Sequence, residues 1–319
     1  MIDNNTVFLG IDTSNYTTSL GIVSGEGEVI ANLKAPLTVK SGEVGLRQSD
    51  AVFLHTRNFP ALFKEAEEYL RGRRILAIGV SGRPRNQDGS YMPCFLSGVA
   101  VANALKSTHS VPLYSFSHQC GHITSAVLSS GALHLFDGRE FASLHISGGT
   151  TEILRSRYND FSFEQTLVGG SSDLNAGQVI DRIGVFLGLS FPAGVHLEQL
   201  ALTCKGKIPK RKITVNNGYI NLSGLENMAK RLYSDTSDKS LVAAFVLDFI
   251  TRSIIAMVDS YIESFGDTEI VFAGGVMSNK IIRTALDVRY RSHFAEPELS
   301  RDNAVGIAYL AYKKYTDRG

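Results

Sequence analysis

Two stretches of the chain follow the same plan: an apolar strand, a short turn rich in hydroxyl groups, and a second apolar strand. The first places strands at Val7–Ile11 and Ser19–Val23, on either side of "DTSNYTT". The second places strands at Phe141–Ile146 and Ile153–Arg155, on either side of "SGGTTE". Each pattern predicts a β-hairpin, and helical patterns follow both. A chain that repeats this plan at long period is expected to be an α/β protein with two similar lobes.

Helices are predicted where apolar residues recur at three- and four-residue spacing. The segments are Asp50–Gly72, Ala176–Leu189, Lys239–Gly266 and Lys280–Leu286, and a last helix is predicted at "RDNAVGIAYLAYKKY" with Asp302 and Asn303 in its first turn. Pro60 is expected to mark a boundary within the first of them. A buried strand is expected at Glu269–Phe272.

The predicted N-terminal lobe covers residues 1–125 and is completed by a C-terminal helix at about 299–319. The predicted C-terminal lobe covers 126–298 and includes a helical insertion. No low-complexity linker separates the lobes, so the cleft between them is the expected ligand site.

The composition is that of an ordinary globular protein, with 44% hydrophobic and 20% charged residues among 319. Three widely spaced cysteines argue against a disulfide framework and favour a reducing compartment, so we expect a cytoplasmic protein. No apolar run approaches the roughly 20 residues that cross a bilayer, and the N-terminus does not resemble an export signal, which predicts no membrane association. The net charge of +1 neither favours nor excludes a nucleic-acid partner.

Three small-residue turns follow apolar strands: "DTSNYTT", "ISGGTTE" and "FAGGVMSN". Glycine pairs allow a close approach of the backbone to a ligand, and successive N–H groups in such turns form anion-binding nests. One such turn is often only a turn. Three of them in a duplicated architecture predict a clamp for the phosphate of a nucleotide.

His118 and His122 are four residues apart, which on a helix places both imidazoles on one face. Two histidines alone fit a metal site or a pair of core and capping histidines. Asp302 is a candidate third ligand, and two histidines with a carboxylate would leave positions open for a substrate. Cys120 would point away from the shared face and is expected to pack. Gln119 stands where a zinc protease carries its general-base glutamate, which disfavours a peptidase.

Ordered motifs along almost the whole chain resemble one family. They are "GIDTS" at Gly10–Ser14, "HQCGH" at His118–His122, "ISGGTTEIL" at Ile146–Leu154, the segment Asn175–Gly194, "LSGL" at Leu222–Leu225, "GGVMSN" at Gly274–Asn279, and "RDNAVGIAY" at Arg301–Tyr309. The chain resembles the tRNA N6-threonylcarbamoyladenosine synthase family, called TsaD in bacteria. The resemblance implies a two-lobed actin-like ATPase (ASKHA) fold, in agreement with the duplicated hairpins.

The resemblance also implies an acyltransferase that moves a threonylcarbamoyl group from its adenylate to N6 of adenosine 37 of tRNA. It implies one divalent metal, iron or zinc, bound by His118, His122 and Asp302, and an adenylate or ATP-type nucleotide ligand. The implied nucleotide-binding residues are His145, Ile146, Ser147, Gly148, Gly149, Asp181, Gly194 and Asn279. The implied partners are tRNA, a non-catalytic TsaB-like paralog and a TsaE-like P-loop ATPase.

Several positions of this chain depart from the family pattern. They are Asn15 to Thr18 in place of Cys-Asp-Glu-Thr, Cys120 and Gln178 in place of glutamates, Thr150 in place of a histidine, Leu174 in place of an acid, and a longer basic loop at Gly82–Cys94 with Arg83 and Arg85. Fewer acids and more arginines predict a more positive pocket. Two interpretations follow: a working synthase, or a divergent paralog with an altered carbamoyl or adenylate substrate.

Two further alternatives belong to other functional classes. One is a non-catalytic nucleotide-binding scaffold. The other is a sugar or acetate kinase of the same fold, which would need a catalytic carboxylate near the first turn. Asp12 is the residue available for that role.

Overall fold

The computed structural model describes residues 5–14, 16–38, 46–300 and 302–317. The strands are β1 (Thr6–Ser14), β2 (Thr17–Ser24), β3 (Val29–Pro36), β4 (Arg74–Arg83), β5 (Leu113–Ser117), β6 (Glu140–Ile146), β7 (Thr151–Asn159), β8 (Ser162–Ser171), β9 (Val215–Asn216), β10 (Tyr219–Ile220), β11 (Ile270–Ala273) and β12 (Ser292–Phe294). The helices are α1 (Gln48–Leu70), α2 (Phe95–His109), α3 (His118–Ser129), α4 (Ala176–Phe186), α5 (Gly194–Leu202), α6 (Ser223–Thr236), α7 (Lys239–Phe265), α8 (Lys280–Asp287), α9 (Pro297–Ser300) and α10 (Val305–Thr316).

The two sheets repeat one strand order. The first sheet is β3-β2-β1-β4-β5, and the second contains β8-β7-β6-β11-β12 in the same relation, extended beyond β8 by β10 and β9. In each sheet an antiparallel hairpin, β1–β2 or β6–β7, is followed by a parallel strand beside its first member, β4 or β11. The structure therefore confirms the predicted duplication.

The chain divides into two compact units. The first contains residues 1–129, 158–164 and 298–319, and the second contains 130–157 and 165–297. The lobe boundaries predicted from the sequence were residues 125 and 298. The sequence did not indicate that residues 158–164, the end of β7 and the start of β8, belong with the first unit.

In the first unit, glycines allow α10 to lie directly on the sheet. A Cβ added at Gly10 of β1 would meet the Ala304 carbonyl oxygen, and one at Gly79 of β4 would meet Ile307 at 2.5 Å. Helix α2 packs on the opposite face, where Gly98 contacts the side chains of Ile11 and Thr13. Neighbouring residues of β1 alternate between the two faces, as strand geometry requires.

The core of the second unit is built around α7. Most of the helix is buried, including Phe245, Ile250 and Met257, and it packs against α4, α5, α6 and α8. Among the described residues α7 alone is long and apolar enough to cross a membrane, but 72% of its most apolar window is buried inside the protein. Its apolar composition is therefore accounted for by its position in the core.

Three sequence predictions about local structure were wrong. Helix α1 continues through Pro60, because buried residues on both sides of the proline, Phe59 and Leu62 among them, hold one apolar face against the core. Asp12 to Ser14 belong to β1 and pair with β2, so this part of "DTSNYTT" does not form an anion-binding turn. Asn15 lies outside the described residues. Asp302 precedes α10 instead of lying in its first turn.

Candidate metal centre and phosphate-binding turn

The three residues predicted to bind a metal lie together in the first unit. His118 and His122 are the first and fifth residues of α3, with their Nε2 atoms 2.9 Å apart. Asp302 Oδ1 is 3.2 Å from His122 Nε2 and 3.6 Å from His118 Nε2. The three side chains are partly exposed, and their ligand atoms lie within 4.8 Å of one another.

Asp12 lies behind His118 and orients it. The buried Asp12 Oδ2 accepts hydrogen bonds from His118 Nδ1 at 2.7 Å and from the Ser81 hydroxyl, and Oδ1 accepts one from the Ser14 amide at 2.8 Å. Burial alone would raise the pKa of Asp12, but His118 and these hydrogen bonds hold it below its usual value. Both carboxylate oxygens already accept hydrogen bonds in a buried position, so the geometry disfavours the kinase interpretation.

The donor set fits a divalent transition metal. Two imidazole nitrogens and a carboxylate oxygen are ligands that zinc and iron(II) accept, and metal-bound histidines commonly donate their second nitrogen to a carboxylate, as His118 does to Asp12. Burial alone would lower the pKa of His118, but Asp12 and Asp302 raise it to about 10. The two carboxylates thus favour a positive charge on the His118 imidazole. A bound metal ion would supply that charge in place of the second imidazole proton.

A polar network places Asp302 beside the histidines. Ser125, seven residues after His118 on the same helix, donates its hydroxyl to Asn303 Oδ1 at 2.8 Å and accepts the Gly306 amide at 3.0 Å. Asn303 Oδ1 also accepts the amide of Val305. The segment that carries Asp302 is thereby attached to α3. Neither Ser125 nor this role of Asn303 was predicted from the sequence.

Glycines bring α3 and α10 into contact below the metal centre. A Cβ at Gly306 would meet the Gly121 carbonyl oxygen and would lie 2.7 Å from the Ser125 hydroxyl. A Cβ at Gly121, between the two histidines, would lie 2.9 Å from Ile307. The close approach of the two helices therefore depends on glycine at both positions.

In the second unit, the predicted phosphate-binding turn connects β6 to β7. The Ser147 hydroxyl accepts the amides of Gly149 and Thr150 at 3.2 and 3.1 Å, and the Ser147 amide donates to the Thr150 carbonyl. Added Cβ atoms at Gly148 and Gly149 would meet nothing within 4 Å. The turn is therefore open on the glycine side, but two of its amides are already bound within it. Phosphate binding here stays a prediction.

The N-terminus of α4 lies directly against this turn. The Gly177 amide donates to the Ser147 carbonyl at 3.1 Å, and the Ala176 amide donates to the Thr151 hydroxyl at 2.9 Å. A Cβ at Gly177 would lie 2.6 Å from the Gly148 nitrogen. The first-turn amides of Ala176 and Gly177 are thus bonded within the protein, and what α4 offers an anion at this turn is the positive end of its helix dipole.

The other predicted nucleotide residues belong to the second unit and have structural partners. Asp181 Oδ1 accepts the Ala193 amide at 2.8 Å and so holds the chain that leads to Gly194, the first residue of α5. Asn279 is the N-cap of α8, and its Oδ1 accepts two amides of the first turn. Ile146 is fully buried, so only its backbone could contact a ligand.

The glycine pair after β11 approaches the end of β6. Gly274 has φ of +99°, and a Cβ there would meet the Ile146 carbonyl oxygen and lie 2.8 Å from the His145 ring. Ala273 and His145 are paired in the parallel ladder. The "AGGVMSN" and "ISGGTTE" turns are therefore neighbours within this unit.

Three departures from the family pattern have structural roles. The buried Cys120 thiol contacts the Phe163 carbonyl at 3.3 Å, which confirms that it packs and does not join the histidines. Gln178 accepts the amide of Asn175 at 3.1 Å and completes a capping box at the start of α4, a role that glutamine and glutamate both fill. Leu174 packs against the core of the second unit.

The basic loop at 82–94 reaches the start of α3. The carbonyl of Pro84 accepts the amide of Gln119 at 3.0 Å, and Arg83 is hydrogen-bonded to Asn86. The backbone of the loop therefore contacts the first turn of α3, next to His118.

Replacing Asp12 with asparagine is expected to lower metal affinity by about 10- to 100-fold, because the neutral amide orients His118 less firmly and no longer supports its basicity. Competition with a chromophoric chelator measures this affinity. Asp50→Asn, an exposed acid of α1, is the control and should leave it unchanged. Equal affinities for Asp12→Asn and wild type would show that Asp12 has no influence on the metal.

Asp173 joins the end of β8 to the start of α6. Its oxygens accept the amides of Leu174, Leu222 and Ser223, at 2.6, 2.8 and 3.1 Å. Burial alone would raise the pKa of Asp173, but these hydrogen bonds lower it to about 2. The carboxylate is therefore a capping group and not a free acid of the site.

Because the folded pKa lies below the usual value of 3.8, the stabilisation by Asp173 is present above that pH and is lost as the pH falls through about 2. Asp173→Ala is expected to lower the free energy of unfolding at neutral pH by about 1 kcal/mol. Urea denaturation of wild type and variant at several pH values measures this difference. Asp235→Ala, an exposed acid on α6, is the control. A difference that persisted unchanged below pH 2 would contradict the capping role.

The TsaD family, described as tRNA N6-adenosine threonylcarbamoyltransferase, matches residues 51–309. The chain belongs to the TsaD family. Its relatives include tRNA N6-adenosine threonylcarbamoyltransferases of Methanopyrus kandleri, 26% identical with 95% of this chain and 86% of that protein covered, and of Neorickettsia sennetsu, 27% identical with 98% and 94% covered. That name describes an acyltransferase, the enzyme class that the sequence predicted.

Solved structures confirm the actin-like ATPase and kinase fold. Full-length HypF in its phosphate- and nucleotide-bound form matches with a TM-score of 0.60 at 12% identity, covering 99% of this chain and 56% of that one. The activator of 2-hydroxyisocaproyl-CoA dehydratase from Clostridium difficile, with bound ADPNP, matches with a TM-score of 0.52 at 14% identity, covering 98% and 96%. At these identities the likeness concerns the fold alone.

Proposed function

We propose that this TsaD-family protein transfers a threonylcarbamoyl group from threonylcarbamoyl-adenylate to N6 of adenosine 37 of tRNA, with the help of a divalent metal. The observation that supports this most directly is the convergence of His118, His122 and Asp302 at one point, with Asp12 behind them. The family supplies the reaction class, and the chain retains a donor set suited to it.

The reaction is an acyl transfer from an activated mixed anhydride. The N6 amine of adenosine attacks the carbamoyl carbon, a C–N bond forms, and the bond from that carbon to the phosphate oxygen breaks. AMP leaves with the electron pair, and the amine loses a proton. Because the substrate is already activated, the protein needs mainly to position it and to stabilise charge, and a nucleophilic serine or cysteine is unnecessary.

Each unit of the chain contributes residues suited to this task. In the first unit His118, His122 and Asp302 would hold the metal, which when bound supplies a Lewis acid for substrate oxygens. Asp12 fixes the orientation of His118. In the second unit the N-terminus of α4 and the turn at Ser147 offer positive potential to the phosphate that departs with AMP.

The same proposal includes the setting in which the protein acts. We propose that it works in the cytoplasm on tRNA, with a TsaB-like paralog and a TsaE-like P-loop ATPase as partners. The structural roles of Cys120 and Gln178 favour a working synthase over a divergent paralog, because these substitutions do not remove a metal ligand.

Expression of the chain in a strain depleted of its own synthase tests the proposal. Nucleoside mass spectrometry is expected to show threonylcarbamoyladenosine restored in tRNA, and the His118→Ala/His122→Ala variant serves as the inactive control. Calorimetric titration of the purified protein with a non-hydrolysable adenylate analogue is expected to show binding. Soluble, metal-loaded protein that binds the analogue but restores no modified nucleoside would favour a paralog with another acceptor. Absence of binding would contradict the proposed adenylate substrate.

A further inference from the structure

We propose that the second unit holds a metal site of its own, formed by His134, Glu269 and His293, which binds a zinc-class divalent ion. These residues have no part in the family reaction described above. They come from three segments: His134 from the short 3-10 helix Leu133–Asp137, Glu269 from the residue before β11, and His293 from the middle of β12.

The three side chains converge on one carboxylate oxygen. Glu269 Oε2 is 2.6 Å from His134 Nε2 and 2.7 Å from His293 Nε2, and the three ligand atoms lie within 4.8 Å of one another. The imidazole rings meet edge to face, with centroids 5.7 Å apart. Ligand atoms around a zinc ion at about 2.0–2.1 Å are separated by somewhat more than a hydrogen bond, so small side-chain rotations make room for it.

The backbone holds two of the three ligands before any ion binds. The Glu269 carbonyl accepts the Ala142 amide of β6 at 3.0 Å, and the next amide, of Ile270, donates to the Arg291 carbonyl at 2.9 Å. Glu269 is therefore fixed between β6 and the chain leading into β12. His293 is paired with Val271 in the parallel ladder, two residues after Glu269. Because the backbone already holds these two ligands in place, less conformational entropy is lost when an ion binds.

The third ligand is held by packing on either side. Leu135, next to His134, is fully buried, and the Gly138 carbonyl that ends the 3-10 helix accepts the Arg157 Nε–H at 2.8 Å. His134 itself is 43% exposed, compared with 15% for Glu269. An ion can therefore enter from solvent on the His134 side and retain a water ligand there.

The positive charge of Arg139, which lies near Glu269, is already balanced by Asp137. Arg139 Nη1 lies 3.5 Å from Glu269 Oε1, but its guanidinium is bound to Asp137 through Nε at 2.9 and 3.0 Å and Nη2 at 2.5 Å. The Arg139–Asp137 pair has no net charge, so Glu269 provides the negative charge that favours a cation at the two imidazoles.

The cluster lies apart from the nucleotide features of the same unit. Glu269 precedes β11 and lies beside the start of β6, whereas Ser147 and Gly274 follow the carboxyl ends of these parallel strands. A metal here would join the 133–137 helix to the β11–β12 edge and stabilise the unit without touching the phosphate-binding turn.

Metal stoichiometry tests this site. Full-length protein is stripped with a chelator, desalted and titrated with Zn²⁺ in a calorimeter, and with Co²⁺ followed by visible absorption. Two equivalents are expected for wild type and one for His134→Ala/His293→Ala. The control His109→Ala/His196→Ala replaces two exposed histidines outside both clusters and should retain two equivalents.

The remaining variants separate the two sites. His118→Ala/His122→Ala is expected to keep one equivalent, and adding His134→Ala and His293→Ala should remove it. If the His134→Ala/His293→Ala protein does not fold, Glu269→Gln replaces it, since glutamine keeps the size and loses the ligand charge. Wild-type stoichiometry and affinity in the His134→Ala/His293→Ala protein, or in Glu269→Gln where that one is used, would overturn the proposal. So would the absence of bound metal in folded His118→Ala/His122→Ala protein.

Discussion

Protein in which both His118 and His122 are replaced by alanine is expected to lose one equivalent of bound metal and all threonylcarbamoyl transfer. Of the three described groups that converge within 4.8 Å at this point, Asp302 alone would then remain. One carboxylate does not hold a transition metal against water, because each lost nitrogen ligand removes a direct bond to the ion. Elemental analysis of the purified variant measures the metal, and nucleoside mass spectrometry measures the transfer.

A matched control comes from the same helix. Cys120→Ala removes a buried side chain of α3 that contacts Phe163 and not the histidines, and it should retain the metal. Circular dichroism and thermal denaturation establish that both variants are folded. Full metal content in the folded double-histidine variant would contradict the assignment of the site.

The duplicated fold and the histidine pair could be predicted because their signals are local. An apolar strand, a polar turn and a second strand are adjacent in sequence, and two histidines at i and i+4 meet on any helix. The ring centroids of His118 and His122 lie 4.3 Å apart, as that spacing requires. Its position made Asp302 a candidate third ligand, and the motifs of the family then assigned it to the metal.

Contacts between distant segments could not be predicted in this way. Asp12 looked like a turn residue, and its partner His118 is 106 positions away. Ser125 and Asn303 are 178 positions apart, and His134 and Glu269 are 135 apart. Such pairs arise from the order of strands in a sheet and the packing of helices on it, and a single sequence specifies these only through the complete fold.

The capping box at Asn175 and Gln178 was visible in the sequence, but Gln178 was interpreted as a lost glutamate of the family site. Asn175 followed three residues later by Gln178 is a sequence signature of a helix start. Comparison with the family directed attention to the missing glutamate at position 178, and so the substitution looked like the loss of a site residue. In the structure the glutamine amide oxygen accepts the Asn175 amide. A departure from a family pattern therefore has chemical meaning only once the contacts of the side chain are known.

Replacing Gly306 with alanine is expected to destabilise the first unit and to weaken its metal centre together. The new Cβ would meet the Gly121 carbonyl oxygen and lie 2.7 Å from the Ser125 hydroxyl, which accepts the Gly306 amide. The contact with Gly121 is with backbone, which cannot yield as a flexible side chain does, so α10 must move away from α3. Overpacking of this kind costs about 1–3 kcal/mol of unfolding free energy.

The effect on metal binding follows from the position of Asp302. It lies four residues before Gly306, in the segment that Asn303 attaches to Ser125, and its carboxylate is 3.2 Å from His122. A shift of α10 separates this ligand from the two histidines, whose own helix keeps its structure. Urea denaturation is therefore expected to show the loss of stability, and chelator competition a lower affinity, in the same variant. Gly224→Ala, where an added Cβ meets nothing within 4 Å, is the matched control. A Gly306→Ala protein with wild-type metal affinity would show that Asp302 is held by other contacts than the packing of α10 on α3.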